Sequence, residues 1–184
     1  MAHAADSMTA TLLKIRPASP DEGAILTALA HDAKRYWGYP ESWIEHWKED
    51  LTITPDFISR SEVFVAAAEG GLDQEPVPPA IGEPAVRSGQ IDGFYAIVIR
   101  GDKAELEHMW VKPECIGSGI GTELFMHAME TAAFLNAAAL EISSDPNAEG
   151  FYKRMGARRI GEVNSEVEGQ PRRLARLSID LNPR

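Results

Sequence analysis

The stretch Val111-Lys112-Pro113-Glu114-Cys115-Ile116-Gly117-Ser118-Gly119-Ile120-Gly121-Thr122 carries the strongest chemical signal in the chain. A strand-like run ends at Val111, three alternate glycines follow, and an amphipathic run begins. Leu124, Ala128, Thr131 and Leu135 mark one face of that run, with Phe125, Met129 and Ala132 beside it. Glycines before a helix let backbone N–H groups converge on one point, and the helix dipole adds partial positive charge there. A Cβ would hold phosphate oxygens off that backbone. The spacing therefore predicts an anion site, although plain turns also place glycines before helices. It does not fit the G-x-G-x-x-G dinucleotide fingerprint, and the Gly-Lys-Ser/Thr ending of a phosphate loop is absent.

Upstream, Glu105 and Glu107 lie two apart in a strand-like run and share a face, a placement that suits proton transfer. His108 points to the other face unless a bulge intervenes. Cys115 has no histidine or other activating partner evident in sequence, so it reads as structural rather than nucleophilic. The five histidines show no metal-ligand spacing, and no metal site is expected.

The elements that position these groups follow from periodicity. Thr11 to Arg16 alternates as a first strand. Ser19-Pro20-Asp21-Glu22 is a capping-box signature for a helix along Ile25, Leu29 and Tyr36, ended by Gly38-Tyr39-Pro40. Glu41 to Leu51 predicts a second helix with Trp43 and Trp47 on one face, and Pro55 to Ser59 one more turn. Trp37, Tyr39, Trp43 and Trp47 cluster in these first two helices. Glu62 to Ala68 is a strand. Gly70 to Gln90, rich in proline and glycine, reads as a long mobile loop. Ile91 to Arg100 and Lys103 to Val111 pair about a turn at Gly101-Asp102. A helix from about Gly119 to Asn136, a strand at Leu140 to Ser143 and a helix from Pro146 to Met155 stopped by Gly156 follow. Arg158 to Val167 and Arg172 to Leu181 close as an antiparallel pair. This order predicts a single α/β (α+β) domain over residues 1–184, residues 1–8 flexible, with a mixed, mostly antiparallel sheet flanked by helices.

Composition narrows the classes. With 184 residues, 44% apolar and 25% charged, the chain suits one ordinary globular core. No apolar run approaches the roughly 18 residues that span a bilayer, and no secretory signal is evident. One cysteine points to a reducing compartment, and a cytoplasmic location is expected. A net charge of −10 argues against nucleic-acid binding and mildly favours a cationic partner.

The glycine turn and a second block together resemble the GNAT superfamily of N-acetyltransferases. That family's pyrophosphate turn reads roughly Val-x-Pro-x-x-(Arg/Gln)-Gly-x-Gly-(Ile/Leu)-Gly. Val111, Pro113, Gly117, Gly119, Ile120 and Gly121 match in register; Ile116 departs, standing where the family has arginine or glutamine. The second block is a strand followed by Asn147, Gly150, Phe151, Tyr152, Gly156 and Ala157, again at the family's spacing.

The resemblance implies an acyl-CoA N-acyltransferase fold in which CoA enters between two splayed strands. It implies that the strand ending at Val111, through Met109, Trp110 and Val111, contacts the pantetheine and acetyl group. The turn Gly117, Ser118, Gly119, Ile120, Gly121 and Thr122 would take the pyrophosphate, and Asn147 and Tyr152 would touch the CoA arm. It further implies transfer of acetyl from acetyl-CoA to a primary amine by direct attack in a ternary complex. Tyr152 would be the acid for the leaving thiolate. Glu107, nearer the splay, or Glu105 would be the base, directly or through water. The acceptor would be a small-molecule or peptide amine, with no nucleic acid, membrane or metal involved and a homodimer allowed. The alternative is a non-catalytic acyl-CoA sensor.

Overall fold

Ile91 to Ile97 is almost continuously buried, the mark of a strand covered on both faces, and the sheet is built around it. The computed structural model describes residues 13–68 and 90–181. The expectations for residues 1–8 and for the Gly70–Gln90 loop fall outside these, Gln90 excepted. The strands are β1 (Leu13–Pro17), β2 (Glu62–Ala68), β3 (Ile91–Arg100), β4 (Lys103–Val111), β5 (Ala139–Ser144), β6 (Arg158–Val167) and β7 (Gln170–Asp180). The helices are α1 (Gly23–Tyr36), α2 (Glu41–His46), α3 (Pro55–Arg60), α4 (Ile120–Phe134) and α5 (Glu149–Arg154). The seven strands run β1-β2-β3-β4-β5-β7-β6. Every neighbouring pair is antiparallel except β4 and β5. The mixed, mostly antiparallel sheet expected from the element order is thus present.

Both faces are covered. One carries a cluster of Leu124, Phe125 and Ala128 from α4 with Leu106, Leu140 and Tyr152. The other carries Leu26 and Leu29 from α1 with Ile44, Trp47, Phe94 and Val167. Each fully buried leucine or phenylalanine contributes about 1.5–3 kcal/mol by leaving water. Gly93 on β3 is required by this packing, because a Cβ there would lie 2.9 Å from both Leu124 Cδ1 and the Trp110 carbonyl oxygen.

Element boundaries shift where side chains compete for backbone groups. The capping signature forms as predicted in part, with the Glu22 carboxylate accepting the Ser19 N–H at 2.7 Å. Arg16 also grips that carboxylate. Pro20–Glu22 form a 3₁₀ turn, so α1 starts at Gly23. The second helix ends at His46 rather than Leu51; hydrogen-bonded turns then drop Leu51 and Ile53 into the core. The last helix starts at Glu149 rather than Pro146, because the Asp145 side chain holds the Asn147 N–H at 3.0 Å in a local turn.

Two features of β4 open the sheet. Its parallel pairing with β5 covers only Lys103–Leu106, while β5 continues beside β7 through Ser143 and Ser144. Ala96 faces His108 while Ile97 faces Leu106, so Glu107 is the extra residue of a β-bulge. After the bulge Met109 and Val111 return to the α4 face, and Trp110 joins the α1 face. Below the opening, buried Glu141 on β5 pairs with Lys103 on β4 and Arg176 on β7, clamping the three strands together.

Candidate active site

A cavity of about 730 Å³ occupies the opening between β4 and β5 and joins two chemically different ends. One end is the glycine turn. Gly117 and Gly119 have φ of 86° and 99°, in the left-handed region that glycine adopts without strain. A Cβ on either would meet nothing within 4 Å, so the turn is an open cradle. The first N–H groups of α4 have no partner within the helix. Among the described residues, the N–H groups of Gly117, Gly119, Ile120 and Gly121 make no backbone hydrogen bond outside the regular elements. Ser118 and Thr122, both assigned from the resemblance, instead donate to Cys115 O at 3.2 Å and Gly119 O at 2.9 Å. Free donors, a helix N-terminus and open space fit a diphosphate. Met109, Val111, Gly117, Gly119, Gly121, Thr122, Asn147 and Tyr152 all line the cavity. Ser118 and Ile120 line a smaller hollow that shares Gly119. Ile116 is partly exposed at the cavity wall.

Tyr152 reaches the cavity from α5. Its ring packs against Phe125 at 5.4 Å and Phe151 at 5.2 Å. Burial, with the Asp145 charge adding to it, raises the phenol above its ordinary range, so it keeps its proton at neutral pH. Cys115 also lines the cavity, and burial raises its thiol, which keeps it from acting as a thiolate.

The glutamates separate. Arg100 binds both, at 3.2 Å to Glu105 and 3.0 Å to Glu107. Only Glu107, carried by the bulge, lines the cavity. The bulge also brings in His108, which lies among Phe57 and Phe94 and accepts the Trp110 indole N–H at Nδ1, 3.3 Å away. Burial pushes its imidazole down to about 4, so the ring is neutral near pH 7.

The far end of the cavity is a charged group held in aromatic walls. Lys34 Nζ lies 2.8 Å from Asp145 Oδ2, 4.5 Å from the Trp47 ring and 5.5 Å from that of Trp110. The Arg172 guanidinium stacks 4.8 Å from Trp47, 5.2 Å from Tyr39 and 5.5 Å from Trp43. The Tyr39 hydroxyl bonds Asp145 and accepts from Arg172 at 3.1 Å. Burial, then Asp145, pushes that hydroxyl up to about 12. Burial alone would raise the Asp145 carboxyl, but Lys34, the Asn147 N–H and Tyr39 together hold it below the usual carboxylate range. Asn147 belongs to the same group, its amide nitrogen reaching Asp145 at 3.2 Å and Tyr39 at 3.3 Å.

Sequence reasoning singled out the aromatics but missed Lys34, Asp145 and Arg172. Lys34 had a legible signal, standing in the buried stripe of α1 four residues after Ala30 and eight after Leu26. Asp145 and Arg172 reach it from sites 111 and 138 positions on, which no local pattern reveals.

The fold that holds this site is shared with known proteins. Residues 59–156, more than half of the chain, match the family model of the acetyltransferase (GNAT) domain. The chain belongs to the GNAT acetyltransferase family. A GCN5-related N-acetyltransferase of Rhodopseudomonas palustris superposes with a TM-score of 0.65 at 17% identity, over 97% of this chain and 99% of that one. The PaiA N-acetyltransferase of Thermoplasma acidophilum, solved with coenzyme A, gives 0.62 at 20% identity over 92% and 99%. The ribosomal-protein-S18-alanine N-acetyltransferase of Escherichia coli gives 0.60 at 14% identity over 94% and 96%. No curated protein matches the chain in sequence. Among the described residues, no helix is long and apolar enough to cross a membrane.

Proposed function

We propose that this chain transfers an acetyl group from acetyl-CoA to a primary amine by direct attack in a ternary complex. The observation that carries the reading is one continuous cavity, with a diphosphate cradle at one end, an aromatic chamber at the other and the β4 bulge between them. The coenzyme A held by the Thermoplasma relative supports the choice of donor.

Bound acetyl-CoA would supply the activated acetyl thioester. The N–H groups of Gly117, Gly119, Ile120 and Gly121 hold the diphosphate. Beyond the bulge, the β4 backbone at Met109 and Val111 has no pairing to β5. Those peptide groups are free to bind the pantetheine arm and to orient and polarise the acetyl carbonyl. Glu107, directly or through water, takes the proton from the acceptor ammonium. Tyr152 holds a proton to give to the departing thiolate, and the second proton that the nitrogen sheds as the amide forms restores the phenol. Fixing both reactants in one cavity supplies much of the remaining acceleration.

Free-thiol release from acetyl-CoA, measured with pooled primary amines, tests this. The reading expects release that depends on both protein and amine. Acetyl-CoA binding without release from any amine would favour the sensor.

A further inference from the structure

The chamber at the far end of the cavity is over-supplied with positive charge. Lys34 and Arg172 share one carboxylate, and the side chains of Lys34, Asp145 and Arg172 are only 10%, 18% and 13% exposed. Asp145 is already satisfied by Lys34 at 2.8 Å, Tyr39 at 2.9 Å, the Asn147 N–H at 3.0 Å and the Asn147 amide at 3.2 Å. Arg172 comes no nearer to it than 3.9 Å. Among the described residues, the only hydrogen bond of the Arg172 side chain is to the Tyr39 hydroxyl. A guanidinium has five N–H donors, so most of them are unspent. Its faces are covered by indole and phenol rings, which attract a cation but offer no lone pair to its N–H edge. The other carboxylates lining the cavity do not supply that partner: Glu107 is bound by Arg100, and Asp50 is exposed. A largely buried net positive charge is costly to maintain, and a planar guanidinium with a free edge is shaped for a bidentate oxyanion.

We propose that the acceptor amine carries a carboxylate, which docks on the Arg172 guanidinium with Lys34 behind it. The preferred acceptors are then small amino acids with a free carboxylate. This rests on the acetyltransferase reading and reverses, for the acceptor, what the net charge of −10 favours: the surface is acidic, but the chamber is not. Tyr39, Trp43 and Trp47 exclude water around the guanidinium and strengthen the ion pair the acceptor would make.

The test is an acetylation assay with acetyl-CoA, the twenty amino acids, their carboxamides, and spermidine as a cationic control. The expected result is that kcat/KM for the best amino acid exceeds that of its carboxamide by at least tenfold. In Arg172→Gln that ratio falls towards one through a raised KM, and Arg172→Lys restores it in part. Retention of the acetyl-CoA-induced rise in melting temperature shows that the variants remain folded and loaded. The acid-to-amide ratio of the unaltered protein tests the idea even if Arg172→Gln does not fold. Carboxamides or spermidine used as well as the acids, a ratio unchanged in Arg172→Gln, or no release from any amino acid would overturn the proposal. Failure of acetyl-CoA itself to raise the melting temperature would instead overturn the reading beneath it.

Discussion

Asp145, at the end of β5, holds the ammonium of Lys34 from α1 at 2.8 Å, while that ammonium sits 4.5 Å from the Trp47 ring. This contact fastens α1 to the end of β5, where the sheet opens, and both residues line the cavity. Asp145→Asn leaves Lys34 and Arg172 together without a counter-charge. Breaking a buried pair by removing one partner costs about 3 kcal/mol or more. Urea unfolding should show a loss of that order for Asp145→Asn and a smaller one for Lys34→Met, in which Arg172 still neutralises Asp145. An asparagine variant as stable as the original would show that the pair contributes nothing.

Gly119→Val should abolish acetyl-CoA binding. The residue sits at φ 99°, where a β-branched side chain is strained, and its new Cβ would occupy the open cradle. A ligand specific for the native state at 100 times its Kd stabilises by about 2.7 kcal/mol. Melting curves of the original protein should rise by the corresponding amount, and those of a folded Gly119→Val protein should not respond. An equal response in both would remove the turn from the binding site.

His108 should make stability pH-dependent. Its folded pKa, about 4, lies below the ordinary 6.5. Above pH 6.5 it is neutral both folded and unfolded. As the pH falls from 6.5 to 4, only the unfolded chain takes up the proton, so stability is lost across that window. The full shift amounts to about 3 kcal/mol. Carboxylates also titrate there, so the measure is the difference between the original protein and His108→Gln, whose unfolding free energies should converge as the pH falls. Parallel pH profiles would contradict the burial argument.

Much of this architecture is legible in the sequence because its signals are local. Among the described residues, the strands and helices lie within a few residues of the expected bounds, apart from the second helix, which stops at His46 rather than Leu51, since period-2 and period-3.6 patterns arise from one face meeting one core. The glycine turn was legible because it occurs together with a second block, Asn147 to Ala157, at a fixed distance; alone, glycines before a helix also mark plain turns. The bulge at Glu107 was not, because an extra residue is defined only against the partner strand, here Ala96 and Ile97. The bulge decides which of Glu105, Glu107 and His108 faces the cavity. The charged chamber was likewise hidden, since Lys34, Asp145 and Arg172 meet only after the sheet has closed.

Tyr152→Phe should slow the chemical step. The substitution keeps the packing on Phe125 and Phe151 but removes the proton that burial retains on the phenol. Positioned acids contribute about 10²–10⁴ in rate. Single-turnover rates should fall at least about tenfold, with the acetyl-CoA-induced melting shift preserved. Unchanged single-turnover rates would assign Tyr152 to packing alone.

The central claim, acetyl transfer from acetyl-CoA to an amine across one cavity, is tested most directly by product balance. The protein is incubated with isotopically labelled acetyl-CoA and a pool of primary amines that includes the amino acids, their carboxamides and spermidine, and free CoA and N-acetylated amine are both quantified by mass spectrometry. The account predicts that the two form in equal amounts, with the label on nitrogen, and that Gly119→Val forms neither. Free CoA without acetylated amine, or no turnover by a folded protein that binds acetyl-CoA, would contradict it.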